Sequence, residues 1–182
     1  MKILLFGISN VGKTTTGEIL AKRLGFKFYD LDEEVKKHFK ITIEEFVHTA
    51  DLRWRDEQRE SIINKLIRSK ENTVITVTPI SYPKKLETIV KSDDILAIEL
   101  YDTPENIFSR LVFSDENDIA YTDDPYKNRY KEYYLKEIQE DLNWYGSIYA
   151  TLGITNRIFI NNATPEKLID RIISEYNLEK YL

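Results

Sequence analysis

Apolar residues along this chain come in two rhythms. Five short runs are dense in them: Lys2-Ile3-Leu4-Leu5-Phe6, Phe26-Lys27-Phe28-Tyr29, Thr73 to Thr78, Ile95 to Leu100, and Arg157-Ile158-Phe159-Ile160. Such runs, rich in branched and aromatic side chains, predict strands. Their near-continuous apolarity predicts burial on both faces of a parallel sheet. Between the runs, apolar positions recur every three or four residues and predict helices. The first of these, Thr15 to Gly25, carries Ile19, Leu20 and Leu24 on one face and stops at a glycine. Two short amphipathic segments follow near 33–38 and 42–48, the second opened by a capping box of Thr42 with Glu45. A longer helix is predicted over 51–69, with Ile62, Ile63, Leu66 and Ile67 as its buried stripe. Shorter helices are predicted over 83–91 and from Pro104 to about 113. Residues 114–127 show little periodicity and read as a mobile lid. A long helix is predicted over 128–149, and Thr164-Pro165-Glu166 starts a closing one.

Strands alternating with helices imply an α/β protein: three layers, a five-stranded parallel sheet, helices on both faces, and right-handed crossovers. No repeat, low-complexity tract or Pro/Gly linker divides the 182 residues, so a single domain over 1–182 is expected. Ligands of such sheets bind at the carboxyl ends of the strands.

Composition narrows the chemistry. Hydrophobic residues make up 42% and charged residues 31%, the balance of a globular protein. No apolar run approaches the roughly 20 residues of a membrane span. The opening strand lacks the layout of a secretion signal. The absence of cysteine excludes disulfides, thiol catalysis and cysteine-bound zinc, and suits a cytoplasmic protein. His38 and His48 are too few for a histidine-rich metal site. A net charge of −5 argues against a general nucleic-acid binder. Neither a membrane nor a nucleic acid is an expected partner, and a monomer is the expected state.

One segment carries specific chemistry. Gly7-Ile8-Ser9-Asn10-Val11-Gly12-Lys13-Thr14 fits the phosphate-binding pattern G-x-x-x-x-G-K-[ST], with a strand before it and a helix after it. Main-chain N–H groups over Asn10, Val11, Gly12, Lys13, Thr14 and Thr15, at a helix N-terminus, can surround a phosphate. Lys13 can reach the β- and γ-phosphates, and the Thr14 hydroxyl can ligate Mg²⁺. A nucleoside triphosphate with Mg²⁺ is the implied ligand.

Strand two ends in Asp30-Leu31-Asp32 beside this loop. One carboxylate can take a hydroxyl proton or hold a magnesium-bound water, and the other can bind an acceptor's hydroxyls. The pair also suits a helix cap, with Asp32 capping and Glu33 and Glu34 complementing the dipole. In Asp51-Leu52-Arg53-Trp54-Arg55-Asp56-Glu57, an arginine near a helix start can clamp an anion, or serve a solvated salt-bridged face.

Together these residues resemble the shikimate kinase family of P-loop proteins over nearly the whole chain, most strongly over 1–67. The resemblance implies the P-loop NTPase fold and ATP-dependent phosphorylation of a hydroxyl on a small acceptor, shikimate or a related polyol. It implies Lys13 and Asp30 as catalytic residues, with Thr14 and Asp30 near Mg²⁺. It further implies Asp32 and Arg55 on the acceptor, Arg110 beside the adenine, and the loop through Thr164 and Pro165 closing its other side. The chain departs from the family on the acceptor side. Thr78-Pro79-Ile80 stands where the family has a glycine run, and Asp141-Leu142-Asn143-Trp144-Tyr145 where it has a second carboxylate-binding arginine. Ser114 to Pro125 contains no Lys or Arg where the family's lid has a catalytic arginine. An acceptor half rebuilt for a neutral or cationic molecule is the expectation. Lys127, Arg129 and Lys131 are candidates to replace the lid cation, and the tyrosines from Tyr121 to Tyr149 are candidates for an aromatic wall or for helix packing. Two other readings stay open: a nucleoside or nucleotide kinase, and a nucleotide-binding regulatory module without turnover.

Overall fold

A computed structural model describes residues 1–182. Five strands, β1 (Lys2–Phe6), β2 (Lys27–Asp30), β3 (Thr73–Thr76), β4 (Ile95–Tyr101) and β7 (Arg157–Phe159), form one parallel sheet in the order β2-β3-β1-β4-β7. Two more, β5 (Phe113–Ser114) and β6 (Ala120–Tyr121), form a separate antiparallel hairpin. The register aligns Thr76 with both Leu5 and Asp30, so β1, β2 and β3 end side by side.

Strand alternation sorts the core into two layers. Ile3 and Leu5 of β1, with Ile98 and Leu100 of β4, face α1 (Lys13–Leu24), α6 (Pro104–Ser109) and α9 (Pro165–Glu175). Leu4 and Phe6, with Ile75 and Ala97, face the other way, towards α2 (Leu31–Phe39), α3 (Ile43–Thr49), α4 (Leu52–Ile67) and α5 (Leu86–Val90). The long α8 (Lys131–Thr151) wraps the sheet and supplies Ile138 to the first layer and Tyr149 to the second. No helix is long and apolar enough to cross a membrane.

The α/β architecture matches expectation, with several altered boundaries. The capping box at Thr42 and Glu45 forms as expected. Of the stripe expected on α4, Ile62 and Ile63 are fully buried, while Leu66 and Ile67 are partly so. The helix expected to reach 113 ends at Ser109, because the Arg110 and Leu111 amides turn back onto the carbonyls of Ile107 and Phe108. The segment expected over 83–91 shrinks to α5, since 79–85 run as a loop held by side chains of α4. Residues 114–127 are not featureless. They hold the hairpin and the start of α7 (Asp124–Arg129), which Asp123 caps by accepting from the Tyr126 amide.

Candidate active site

The loop between β1 and α1 bends directly over the sheet. At Gly7, φ is +139°, and a Cβ would lie 2.4 Å from the Leu100 carbonyl oxygen. Only glycine makes that turn. Gly12, at φ +106°, then feeds the chain into α1, whose first amides are left facing the loop. Beneath the loop, the buried Tyr149 packs edge-on against Phe6, with its hydroxyl facing the Gly7 amide.

Lys13 folds back across the loop, donating to the carbonyls of Gly7 at 2.9 Å and Ile8 at 2.8 Å. Burial lowers its pKa to about 8, against the opposing pull of Asp32 and Asp30. Asp30 is the busiest carboxylate of the site. Its Oδ2 accepts from the Thr14 and Thr76 hydroxyls, each at 2.8 Å. Its Oδ1 accepts from the Asp32 amide at 3.0 Å and the Glu33 amide at 3.4 Å. Asp30 therefore caps α2, which corrects the expectation of a cap at Asp32.

Asp32 is thereby freed for the cavity. Its Oδ1 is buried without a hydrogen-bond partner. Burial raises its pKa, while Thr78, Arg59 and Lys13 oppose the rise and Asp30 adds to it. Lys13, Thr14, Asp30, Asp32, Thr76 and Thr78 line a cavity of about 360 Å³, which Ser9, Asn10 and Pro79 complete. Its far wall is Ser114 and Ala120, from the segment expected to be the lid, with Val112 and Phe113 just before it.

A second hollow, of about 170 Å³, opens on the other side of the loop between Val11, Gly12, Thr15 and Thr16 and, opposite, Arg110 and Pro165. Arg110 donates to Asp102 at 2.8 Å. Burial alone would raise the Asp102 pKa, but hydrogen bonds from Asn106, Arg110 and the Thr103 amide hold it below the usual carboxylate range. Thr164 does not line this hollow; its hydroxyl caps α9 at the Lys167 amide. Pro165, the next residue, does line it.

The structure does not bring Arg55 to the cavity. Its guanidinium donates to the Val47 carbonyl at the end of α3, and it is absent from the cavity wall. The arginine that acts on Asp32 is Arg59, one turn further along α4. Its side chain is 7% exposed, pairs with Asp56 at 3.3 Å and lies 5.3 Å from the centre of the Phe46 ring. Asp56 in turn accepts from the Ser81 and Tyr82 amides at 2.9 and 3.0 Å, and Glu60 accepts from those of Lys85 and Leu86 at 2.8 and 3.1 Å. Two buried carboxylates of α4 thus hold the loop that follows β3. The sequence carried a signal for Arg59: it continues the Ile62 and Ile63 stripe at i, i+3, i+4, where a charge is out of place unless partnered.

Neither rebuilt feature expected around the lid reaches the cavity. Lys127 pairs with Asp124 and lies over the Phe108 ring, and Lys131 lies over the same ring. Tyr121, Tyr126 and Tyr134 pack around Phe113 at centroid distances of 5.7, 5.9 and 6.0 Å. They back the wall; no tyrosine lines the cavity, and neither does Asp141.

The chain is similar to known proteins along nearly its whole length. A family model described as shikimate kinase matches residues 9–176. The chain is 30% identical over 173 residues to a shikimate kinase of Persephonella marina, covering 94% of this chain and 96% of that one. It is 29% identical over 177 residues to one of Thermodesulfovibrio yellowstonii, covering 96% and 94%. Among solved structures, the shikimate kinase of Acinetobacter baumannii in complex with shikimate matches with a TM-score of 0.75 at 21% identity, over 98% of this chain and 94% of that one. That of Bacteroides thetaiotaomicron matches with a TM-score of 0.76 at 16% identity, over 97% and 98%. At these identities the structures speak for the fold.

Proposed function

Because the chain belongs to the shikimate kinase family, we propose that it transfers the γ-phosphoryl group of ATP to a hydroxyl of a small acceptor, shikimate or a closely related polyol. One observation carries this reading: Lys13 and Thr14 of the phosphate loop share a single cavity with Asp30 and Asp32. ATP extends along the loop, its adenine between Arg110 and Pro165 and its phosphates over the amides at the start of α1. The relatives along the whole chain do not favour a nucleoside kinase or a module without turnover.

Magnesium belongs to the same reading. The Thr14 hydroxyl and the Asp30 carboxylate are hard oxygen donors 2.8 Å apart. Magnesium is held in such sites by one or two protein oxygens together with substrate phosphates. No cluster of three or more His, Cys, Asp or Glu offers a preformed cage elsewhere. When bound, the ion would neutralise charge on the β- and γ-phosphates.

In the transfer, the acceptor oxygen bonds to the γ-phosphorus as the bond to the bridging oxygen breaks and ADP departs. The hydroxyl proton passes to Asp32. Its Oδ1 accepts no hydrogen bond and burial raises its pKa, whereas each oxygen of Asp30 already accepts two hydrogen bonds. Lys13 leaves its loop carbonyls for the transferring phosphoryl group. Arg59, buried behind Asp32, gives the acceptor half its positive charge. A monomeric enzyme completes the reading, and the cysteine-free sequence supports a cytoplasmic one.

The test is ADP formation from ATP and Mg²⁺ with shikimate, amino sugars, polyols and nucleosides as separate acceptors. Turnover with shikimate, or with a polyol of its shape, is expected. Silence across the panel with intact ATP binding would sink the proposal and leave the regulatory module.

A further inference from the structure

The N-terminus of α3 is completed from a distant part of the chain. Four amides there need partners. The capping box accounts for two: Thr42 donates to Glu45 at 2.8 Å, and Glu45 donates to the Thr42 hydroxyl at 3.0 Å. The other two go to a single side chain 75 positions away. Ile43 donates to Asp118 Oδ2 at 2.7 Å, and Glu44 to Oδ1 at 3.4 Å. The Lys36 ammonium of α2 stands 3.8 Å from the same carboxylate, which is 14% exposed.

Asp118 sits at the tip of the β5–β6 hairpin, at φ +60°. The tip is stiffened by Asp115, whose Oδ1 accepts from the Asn117 and Ile119 amides at 2.8 and 2.9 Å. The strands behind it present Phe113, Ser114 and Ala120 as the far wall of the cavity. One carboxylate thus pins that wall to two helices, α2 and α3. α2 also carries Asp32.

We propose that Asp118 is a positioning residue for the acceptor, a latch that docks the hairpin on α3 and holds the cavity wall in place. It touches no reacting atom. Charge-assisted bonds to two amides are strong enough to set the docked population, and their geometry ties that population to the pose of α2 and α3. Where the inference concerns turnover it rests on the kinase reading; the latch itself does not.

The test compares Asp118→Gly with Asp118→Asn in the full chain. Glycine accepts the left-handed conformation and removes the carboxylate, so backbone strain does not confuse the result. Asparagine tolerates the same conformation and keeps one accepting oxygen. Chymotrypsin cutting at Tyr121, 50% exposed, reads hairpin release without any substrate. For Asp118→Gly the expectation is cleavage about fivefold faster, acceptor KM about tenfold higher and kcat within about twofold of the original. Asp118→Asn should recover most of both losses. Unchanged cleavage together with unchanged KM overturns the latch, and so does a loss confined to kcat. If the unmodified protein phosphorylates no alcohol, the kinase reading has failed on its own, and the cleavage comparison alone decides the latch: faster supports it, equal overturns it.

Discussion

The two halves of the site are made of different material. On the donor side the ligand-facing groups are mainly main-chain amides, fixed by the bend at Gly7 and the entry into α1. On the acceptor side they are side chains from separate elements: Asp32 on α2, Thr78 after β3 and the hairpin wall, with Arg59 of α4 acting on Asp32 from outside the lining. The difference shows in polar atoms buried without partners. Asp32 Oδ1, Arg55 Nε, Arg59 Nε and Glu60 Oε2 all belong to α2 and α4, whereas near the donor side Arg110 Nε and the Tyr149 hydroxyl are left over. Unsatisfied buried groups cost about 1–3 kcal/mol each, and of these Asp32 lines the cavity, where an acceptor hydroxyl can complete it. A main-chain cradle tolerates sequence drift; a side-chain pocket changes chemistry with every substitution.

Five measurements test this contrast. Lys13→Ala should lower kcat at least about 1000-fold, roughly 4 kcal/mol in the barrier, for every acceptor, with circular dichroism unchanged. An active variant would mean that the ammonium is dispensable to the donor half. Asp32→Asn should lower kcat about 100-fold and leave ATP affinity alone. Because burial raises the Asp32 pKa and the reaction needs its ionised form, activity should fall, as pH drops, above the ordinary carboxylate range. That limb should vanish in the variant; its survival would assign the proton elsewhere.

Arg59→Met removes the charge that compensates Asp56 in the interior. We expect about 3 kcal/mol lost from stability, read as a lower thermal midpoint, together with a weakened hold on an anionic acceptor. A smaller effect follows from Lys13. Its neutral fraction grows as pH rises through about 8. Triphosphate binding requires the ammonium, so affinity for ATP·Mg²⁺ should fall by up to about tenfold per pH unit above that value and stay flat well below it. Titration calorimetry in two buffers should detect the matching proton uptake. Least of all, Arg55→Ala should change acceptor KM by less than about threefold, since its guanidinium is spent on the Val47 carbonyl. A large rise would return Arg55 to the acceptor.

What the sequence disclosed follows the same division. The phosphate loop was legible because its pattern, the strand before it and the helix after it are contiguous. The five sheet strands were legible for a similar reason, since burial on both faces leaves a mark in each run separately. Arg55 and Arg59 were not separable. They stand one turn apart on one helix, and which turn reaches the site depends on how α4 crosses the sheet. The hairpin escaped notice because strands of two residues have no period to detect. The start of α7 was missed inside the expected lid, although Asp123 before Asp124-Pro125, an N-cap followed by proline, marks it. Arg110 and Pro165 came from family resemblance. Nothing local placed them on either side of one hollow.

Asp30 has one last implication. Its two oxygens serve two masters, one anchoring the first turn of α2 and the other tying Thr14 to Thr76. A cation that drew Thr14 and Asp30 towards a bound triphosphate would therefore pull on the helix that carries Asp32. Occupancy at one end of the pocket and readiness at the other would then become a single equilibrium. By reciprocity, whatever factor nucleotide adds to the grip on the alcohol, the alcohol must return to the nucleotide.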